Sequence, residues 1–323
     1  MTMKRVKVFT LMMLTLGLLT ACRQQGHQTG EKVTVGIVQY AEHAALDQAR
    51  QGFLEVLDEA GFKEGKTLKV IKKNAQGEQA NLQTMVEQVA GKTDLNFAIA
   101  TPAAQALLTA DSETPSVFTA VTDPVQAGLV DSLKKPGGNM TGSIDATDVK
   151  QQVDLLSRAF PQAKKVGIFY NSSEVNSEWQ AKAAQKALEQ KRIKVVTKTV
   201  TTSNDVQAVM SSLASQVDAV FLPTDNTVAS TAATIGEVLK EAKVPAMGSD
   251  EAYLDAVLFT SGVDYHAIGR QAGQKALKLL KGQKPANLSV AKPQKTKIAV
   301  NEEMAKVLGI DPKLIQDLAK NNQ

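Results

Sequence analysis

The chain has 323 residues, of which 43% are hydrophobic and 22% are charged. These values are typical of a folded protein of about two domains, and they exclude a disordered tail or a collagen-like repeat. The 37 basic residues outnumber the 33 acidic ones, which by itself favours an anionic partner. One cysteine and three histidines exclude an internal disulfide and leave little for a metal centre, so we expect no metal and no cofactor.

The first 22 residues have the pattern of an export signal that ends in a lipid-modified cysteine. Three basic residues precede an apolar stretch, residues 8–19, which is too short to span a bilayer as a helix. Cys22 follows small residues, as in the bacterial lipobox, where the thiol is acylated. We therefore expect a signal peptide at 1–21, a tether at 22–32, and a protein outside the cytoplasm that is anchored to the cell membrane by lipid. The alternative is an ordinary secretory signal in which Cys22 is incidental.

Removal of this signal changes the charge balance. Residues 1–21 contain three basic residues and no acidic one, so 34 basic and 33 acidic residues remain. The basic excess therefore belongs to the export signal, and we expect no nucleic-acid partner.

From residue 33 onward, short apolar strands alternate with amphipathic helices. The first half has strand patterns at 33–38, 68–71, 97–100 and 116–121, with a helix expected from residue 103 to residue 108. The same order returns in the second half, with strand patterns at 166–170 and 194–196 and with segments 218–224 and 244–251 that repeat the third and fourth strand regions of the first half. Such alternation predicts parallel sheets with right-handed crossovers. The expected fold is therefore α/β, with two doubly wound lobes.

We expect the chain to cross between these lobes three times, which would form a hinge and a closing cleft. The first crossing falls near residues 139–145, the second near 259–263, and the third after residue 284. The predicted N-terminal lobe comprises 33–143 plus 263–288, and the C-terminal lobe comprises 144–262 plus 289–323.

Six motifs carry a resemblance to a known family. They are QYAEHAALD (39–47), FTAVTDPV (118–125), PGGNMTG (136–142), YNSSEVNS (170–177), PTDNTV (223–228) and GSDE (248–251). In this combination the chain resembles the ABC transporter substrate-binding lipoproteins of the type I periplasmic-binding-protein fold, in the subgroup of tryptophan and tyrosine receptors. The resemblance implies a monomer that captures an aromatic amino acid, tryptophan before phenylalanine or tyrosine, and delivers it to an ABC permease and its ATPase.

A zwitterionic amino acid needs an anion for its ammonium group. Asp225 and Glu251 each follow a predicted strand, and a charge-assisted hydrogen bond from an ammonium is stronger than a neutral one. We prefer Asp225, with Glu251 as the second candidate, and Asn226 belongs to the same motif. Either carboxylate could instead cap a helix.

The ligand's carboxylate needs N–H and O–H donors. Thr101 precedes a proline that suits a first helical turn, where the N–H groups of Ala103 and Ala104 would be free. Ser173 and Ser177 are the corresponding candidates in the second lobe. Ordinary helix capping is the alternative for all of these positions.

The remaining candidates would hold the ligand's side chain. Tyr40 and Tyr170 end the first strand of each lobe, so their rings could stack on a planar group. Polar candidates that would contact or orient the ligand are Gln39, Thr122, Asp123, Asn171 and Asn176. The Asp123-Pro124 dipeptide is also a common turn. Trp179 is expected to pack within its helix, His43 to lie at the surface, and Tyr253 and Tyr265 to be structural.

Enzyme motifs are missing from the chain: it has no Gly-x-Ser-x-Gly, no phosphate-binding loop and no His-Glu-x-x-His. We therefore expect a binding protein and no catalysis. A receptor for a sugar or nucleoside, or a surface sensor or enzyme without a permease, remains the alternative. The export signal argues against a DNA-binding repressor of the same fold.

Overall fold

The computed structural model describes residues 32–320, except for the side chain of Ala319. The predicted signal peptide, Cys22 and the tether up to residue 31 lie outside the described residues.

The first sheet is built from the N-terminal third of the chain. Its elements in chain order are β1 (Val33–Gln39), α1 (Ala44–Glu59), β2 (Leu68–Asn74), α2 (Gln79–Glu87), β3 (Leu95–Ile99), α3 (Thr101–Ala110), β4 (Ser116–Val121) and β5 (Met140–Ile144). The five strands are parallel, in the order β2-β1-β3-β4-β5. Their near-continuous apolar runs are buried on both faces, as expected for a sheet covered by helices on each side.

The second sheet follows the same plan with one difference. Its elements are α4 (Val149–Ala159), β6 (Lys165–Asn171), α5 (Val175–Gln190), β7 (Lys194–Val200), α6 (Val206–Ala214), β8 (Ala219–Leu222), α7 (Asn226–Ala229), α8 (Ala232–Ala242), β9 (Ala246–Gly248) and β10 (Phe259–Val263), and then, after α9 (Tyr265–Leu280), β11 (Thr296–Val300), α10 (Glu302–Leu308) and α11 (Pro312–Lys320). The strand order is β11-β10-β9-β8-β6-β7. β11 runs antiparallel to β10, whereas the sequence pattern predicts parallel strands throughout. The chain leaves this sheet at the carboxyl end of β10 and returns at the same end, so its next strand must run in the opposite direction.

Three connections join the two lobes. The first runs from β5 to α4, the second is the single residue Asp264 between β10 and α9, and the third leads into β11. Val290 packs in the first core and Ala291 bridges to Ser143 of β5, so the third crossing lies after Ala291 rather than at residue 289.

Helix α9 lies in the first lobe, against α1. The two backbones approach so closely that a Cβ atom on Gly269 would lie 2.0 Å from the carbonyl oxygen of Ala49, so no larger residue fits there. This close contact holds α9, the helix that follows the second crossing, on the first lobe.

Each lobe has its own apolar core. Phe53 and Phe97 stack at a centroid distance of 3.8 Å in the first core, and Phe169, Phe221 and Phe259 are fully buried in the second. Ala252 packs against both cores.

No helix within residues 32–320 combines the length and the apolar composition needed to cross a membrane. The fold is α/β with two lobes, as the sequence predicts, and the carboxyl ends of the parallel strands face each other across the cleft.

Candidate functional site

Two strained residues lie where β3 and β4 of the first lobe reach the cleft. Ala100 has φ 82° and Ala120 has φ 55°, conformations that cost a residue with a Cβ about 1–3 kcal/mol. Ala120 also lies in a register shift between Phe118 and Val121, and such a bulge changes the direction of the following side chains. Strain of this kind clusters at functional sites, and here it precedes Thr101 and Thr122.

A cavity of about 180 Å³ lies directly beyond these residues, between the lobes. Half of its lining comes from each lobe: Thr101, Thr122, Asp123, Gln126 and Ala127 from the first, and Val175, Asn176, Glu178, Trp179 and Lys182 from the second. Thr101, Thr122, Asp123 and Asn176 are therefore the sequence candidates that the structure brings together.

Two helices begin at this cavity, one from each lobe. Thr101 is the first residue of α3 and Val175 is the first residue of α5. The first N–H groups of a helix have no partner within it, and the N-terminus carries a partial positive charge. The two helix starts together favour a negative group in the cavity.

Two buried polar atoms at the cavity have no hydrogen-bond partner: Thr101 Oγ1 and Asn176 Oδ1. A buried polar group without a partner costs about 1–3 kcal/mol, so both are suited to a ligand. Asp123 adds a carboxylate. Its Oδ1 accepts the N–H groups of Val125 and Gln126 at 3.0 Å each, so Asp123 both forms a turn and lines the cavity.

The apolar wall of the cavity is formed by Trp179 and Val175 rather than by the two tyrosines. Trp179 is 38% exposed and lines the cavity, so the expectation that it packs within its helix is wrong. Tyr40 is almost fully buried in the first core, with its hydroxyl donating to the Gly77 carbonyl at 2.9 Å. Tyr170 packs partly buried against the second core. Neither ring belongs to the cavity lining.

Asp225, the preferred ammonium partner, is engaged within the protein. One of its carboxylate oxygens accepts the N–H of Asn171 at 2.6 Å, and the other accepts that of Val228 at 2.8 Å. It is the N-cap of α7, the alternative left open by the sequence. Burial, followed by the nearby Glu174 carboxylate, raises the pKa of Asp225 well above its usual value.

Glu174 organises the same loops. Its carboxylate accepts five hydrogen bonds, from the backbone and side chain of both Asn226 and Thr227 and from the side chain of Asn176. The amide of Asn176 is thereby held at the cavity wall, also donating to the Thr224 carbonyl at 3.1 Å. The sequence analysis did not identify this role, although Glu174 lies in the motif at 170–177. The signal for it is a single acidic residue among serines and asparagines directly after a strand.

A second group of buried acids lies at the hinge. The Tyr265 hydroxyl lies 2.5 Å from Asp250 Oδ2 and 3.2 Å from Asp145 Oδ2. A phenol carries one hydrogen and can donate to only one of them, so the contact with Asp145 is satisfied when that carboxyl is protonated and donates to the phenol oxygen. Burial, partly offset by the neighbouring Thr122 hydroxyl, raises the pKa of Asp145 to about 6.

Glu251 joins this hinge group at its edge. Its Oε1 is buried without a partner, and burial, followed by the charge of Asp250, raises its pKa to about 7. His43, expected at the surface, has both ring nitrogens buried. Burial lowers its pKa, and the negative charges of Asp250 and Glu174 offset this only in part, so His43 adds no positive charge near neutral pH.

The other sequence candidates hold the loops rather than line the cavity. The Gln39 amide donates to the Ala41 carbonyl at 2.7 Å and to Asp47 at 2.9 Å. Asn171 donates to the Thr227 hydroxyl and accepts the N–H of Ser173. Ser177 donates to the Thr224 carbonyl at 3.1 Å.

One expectation about the helix start is wrong. The N–H of Ala104 is not free, because it donates to the Ala100 carbonyl at 3.1 Å. α3 begins at Thr101, two residues earlier than the sequence pattern predicts, which places Ala104 in the hydrogen-bonded part of the first turn. Ala103 is fully buried one position earlier.

The lobes touch across the cleft. Gln180 of α5 donates to the Thr122 hydroxyl at 3.4 Å and accepts the N–H of Thr224 at 3.3 Å. Together with the Tyr265 contacts at the hinge, this links the two lobes in a closed arrangement.

Within the described part of the chain, no group of three or more histidine, cysteine, aspartate or glutamate side chains is arranged to hold a metal ion.

Comparisons with known proteins agree on one kind of protein. A family model described as "ABC transporter substrate binding protein" matches residues 34–318. A curated tyrosine-binding protein of Clostridioides difficile is 36% identical over 307 residues, which cover 91% of this chain and 89% of that protein. The structure of an ABC domain in complex with L-Trp from Streptococcus pneumonia is 34% identical, with a TM-score of 0.84 over 88% of this chain and 98% of that one.

A third relative bears on conformation. The ligand-free, open structure of a substrate-binding protein with adhesive properties from Clostridium difficile is 39% identical and covers 86% of this chain and 95% of that one. Its TM-score is only 0.65, lower than that of the L-Trp complex despite the higher identity. The arrangement of the lobes therefore resembles the ligand-bound relative more than the open one.

Proposed function

The chain belongs to the family of ABC transporter substrate-binding proteins, and from that premise we propose that it captures an aromatic amino acid in the cavity between its lobes. The observation that carries the proposal is the lining of this cavity. It combines donors for an anion, acceptors for a cation and an exposed indole, with half of the residues from each lobe. The relatives named for tyrosine and solved with L-Trp support the aromatic class.

The ligand's carboxylate would bind between the two helix starts. The N–H groups of Thr101 and Ala103 in α3, those of Val175 and Asn176 in α5, and the Thr101 hydroxyl are the candidate donors on opposite walls, whereas Pro102 has no N–H. A carboxylate that accepts from both lobes would draw them together, because neither helix start alone surrounds it. Binding and closure would therefore be coupled.

The ligand's ammonium would bind to Asp123 and Asn176. The Asp123 carboxylate lines the cavity, and Asn176 Oδ1 is a buried acceptor without a partner. This assignment replaces Asp225, whose two oxygens accept backbone N–H groups.

Delivery to an ABC permease and its ATPase completes the proposed role, with the chain acting as a receptor and not as an enzyme. We further propose that residues 1–21 are removed and that Cys22 carries the lipid that anchors a monomeric receptor outside the cytoplasm. Expression of a Cys22→Ala variant tests the anchor: wild-type protein is expected in the membrane fraction, and the variant is expected to lose its lipid label. Membrane retention and labelling equal to wild type would contradict it.

A thermal-shift panel tests the ligand class. Protein lacking residues 1–21 is heated with each of the twenty amino acids and with representative sugars and nucleosides. We expect tryptophan, tyrosine or phenylalanine to raise the Tm by mass action, with sugars and nucleosides without effect. A shift confined to a sugar or a nucleoside would favour the alternative ligand class and contradict the proposal.

A further inference from the structure

Trp179 is exposed without an obvious structural reason. It is the single tryptophan of the chain, it lies in the second turn of α5, and it leaves 38% of its surface uncovered. A large aromatic side chain contributes most when it is buried, so an indole left open beside a cavity is suited to a ligand or a partner.

The helix presents Trp179 to the cavity as part of a stripe. Val175, Trp179 and Lys182 are spaced at i, i+4 and i+7, which places them on one face of α5. All three line the cavity, together with Asn176 and Glu178 of the same helix, whereas Gln180 and Ala181 are buried. The stripe therefore offers an apolar wall that ends in a charged group at the open side.

The charged end of this wall is an exposed ion pair. Lys182 and Glu178 form an ion pair at 2.6 Å, and both line the cavity. At this edge the Lys182 ammonium can donate a hydrogen bond to a phenol oxygen of the ligand. The Glu178 carboxylate can accept one from a phenol hydroxyl or an indole N–H. Aliphatic side chains have no group that uses this pair.

The opposite wall comes from the other lobe. Gln126 and Ala127 follow β4 and face the stripe across the cavity. Ala127 is small, and its carbonyl accepts from the Gln105 side chain at 3.0 Å, which ties this wall to α3.

We propose that Trp179 is the residue that selects ligands with a planar aromatic side chain, by stacking on the ring when the lobes close. This inference rests on the proposed function. The Glu178–Lys182 pair contacts the polar edge of that ring. Trp179 is thus a specificity residue, while Thr101, Asp123 and Asn176 bind the common amino-acid part of every ligand.

The single tryptophan makes the stacking visible by fluorescence. L-tyrosine and L-phenylalanine contain no indole, so indole emission from the complex comes from Trp179 alone. We expect either ligand to shift the emission to shorter wavelength and to change its intensity, saturating at one ligand per chain. An emission spectrum that stays unchanged while calorimetry shows binding would overturn the proposal.

Substitution separates specificity from binding as such. Affinities for L-tryptophan, L-tyrosine, L-phenylalanine and L-leucine are measured for wild type, Trp179→Ala and Trp179→Phe. We expect Trp179→Ala to weaken aromatic ligands about tenfold, since a stacked aromatic pair contributes about 0.5–1.5 kcal/mol beyond its buried area. Leucine affinity should change about twofold or less, and Trp179→Phe should keep most of the aromatic preference.

Val307→Ala is the matched control, because Val307 is also an exposed apolar residue on a helix but does not line the cavity. It should leave every affinity unchanged. If wild type binds aromatic amino acids and Trp179→Ala binds them equally well, the proposal is wrong while the proposed function stands. If wild type binds none of the four amino acids, the proposed function itself fails.

Discussion

At the scale of single residues, Asp123 combines two tasks that sequence patterns usually separate. One carboxylate oxygen holds the turn after β4 by accepting two backbone N–H groups, and the side chain also lines the cavity. The sequence named Asp123 only as a possible contact, because an Asp-Pro turn accounts for it without any ligand. Only the fold shows that the turn faces the start of α5 from the other lobe.

We expect Asp123→Asn to weaken the affinity for an aromatic amino acid about 10- to 100-fold. The asparagine keeps an oxygen for the turn but loses the charge, and a hydrogen bond to a charged group is worth about 1.5–3 kcal/mol. Isothermal titration calorimetry measures the effect. Asp205→Asn, at an exposed position, is the matched control, and an affinity equal to wild type would remove Asp123 from the ammonium site.

The buried acids of the hinge predict a pH dependence of stability. The pKa of Asp145 is raised to about 6, so the native state binds a proton that the unfolded state releases between about pH 4 and about pH 6. The unfolding free energy therefore falls as pH rises through this window, by up to about 3 kcal/mol from this group.

Urea unfolding of wild type and Asp145→Asn at about pH 4 and about pH 7 tests this sign. The variant has no proton to lose, so its unfolding free energy relative to wild type should be higher at pH 7 than at pH 4. Asp205→Asn should show no such change. A relative free energy that is independent of pH, or that falls, would show that Asp145 is not protonated in the native state.

At the scale of elements, the alternation of apolar strands and amphipathic helices predicted β1 to β4 of the first sheet and β6 to β9 of the second. It was wrong at 139–145 and 259–263, which were expected as crossings and instead form β5 and β10 before the chain crosses. It could not predict the direction of β11, because strand direction depends on the lobe from which the chain returns. The start of α3 was misplaced because Pro102 fits any position of a first turn. Trp179 was misassigned although its spacing from Val175 places both on one helix face, since the pattern does not show what that face meets.

The short helix α7 depends on its cap. We expect Asp225→Ala to lower the unfolding free energy by about 2–4 kcal/mol, because two buried N–H groups, those of Asn171 and Val228, lose their acceptor. Urea unfolding measures it, with Asp225→Asn as the milder variant. Unchanged stability together with lost ligand affinity would return Asp225 to the ammonium site.

At the scale of the whole molecule, three crossings and two separate cores allow the lobes to move as bodies. The cross-lobe contacts of Gln180 and Tyr265 hold the closed arrangement, and the ligand would add contacts to both walls. We expect small-angle scattering with saturating L-tryptophan to give the radius of gyration of this closed form, and a larger value without ligand. Identical values in both conditions would contradict a closing cleft.

The central claim is that the cavity between the lobes binds one aromatic amino acid. Isothermal titration calorimetry of protein lacking residues 1–21 with L-tryptophan and L-tyrosine, after any co-purified ligand is removed by unfolding and refolding, tests it most directly. The account predicts saturable binding with one site per chain for at least one of them, weakened by Asp123→Asn. Refolded protein that shows no saturable heat with either amino acid would contradict it.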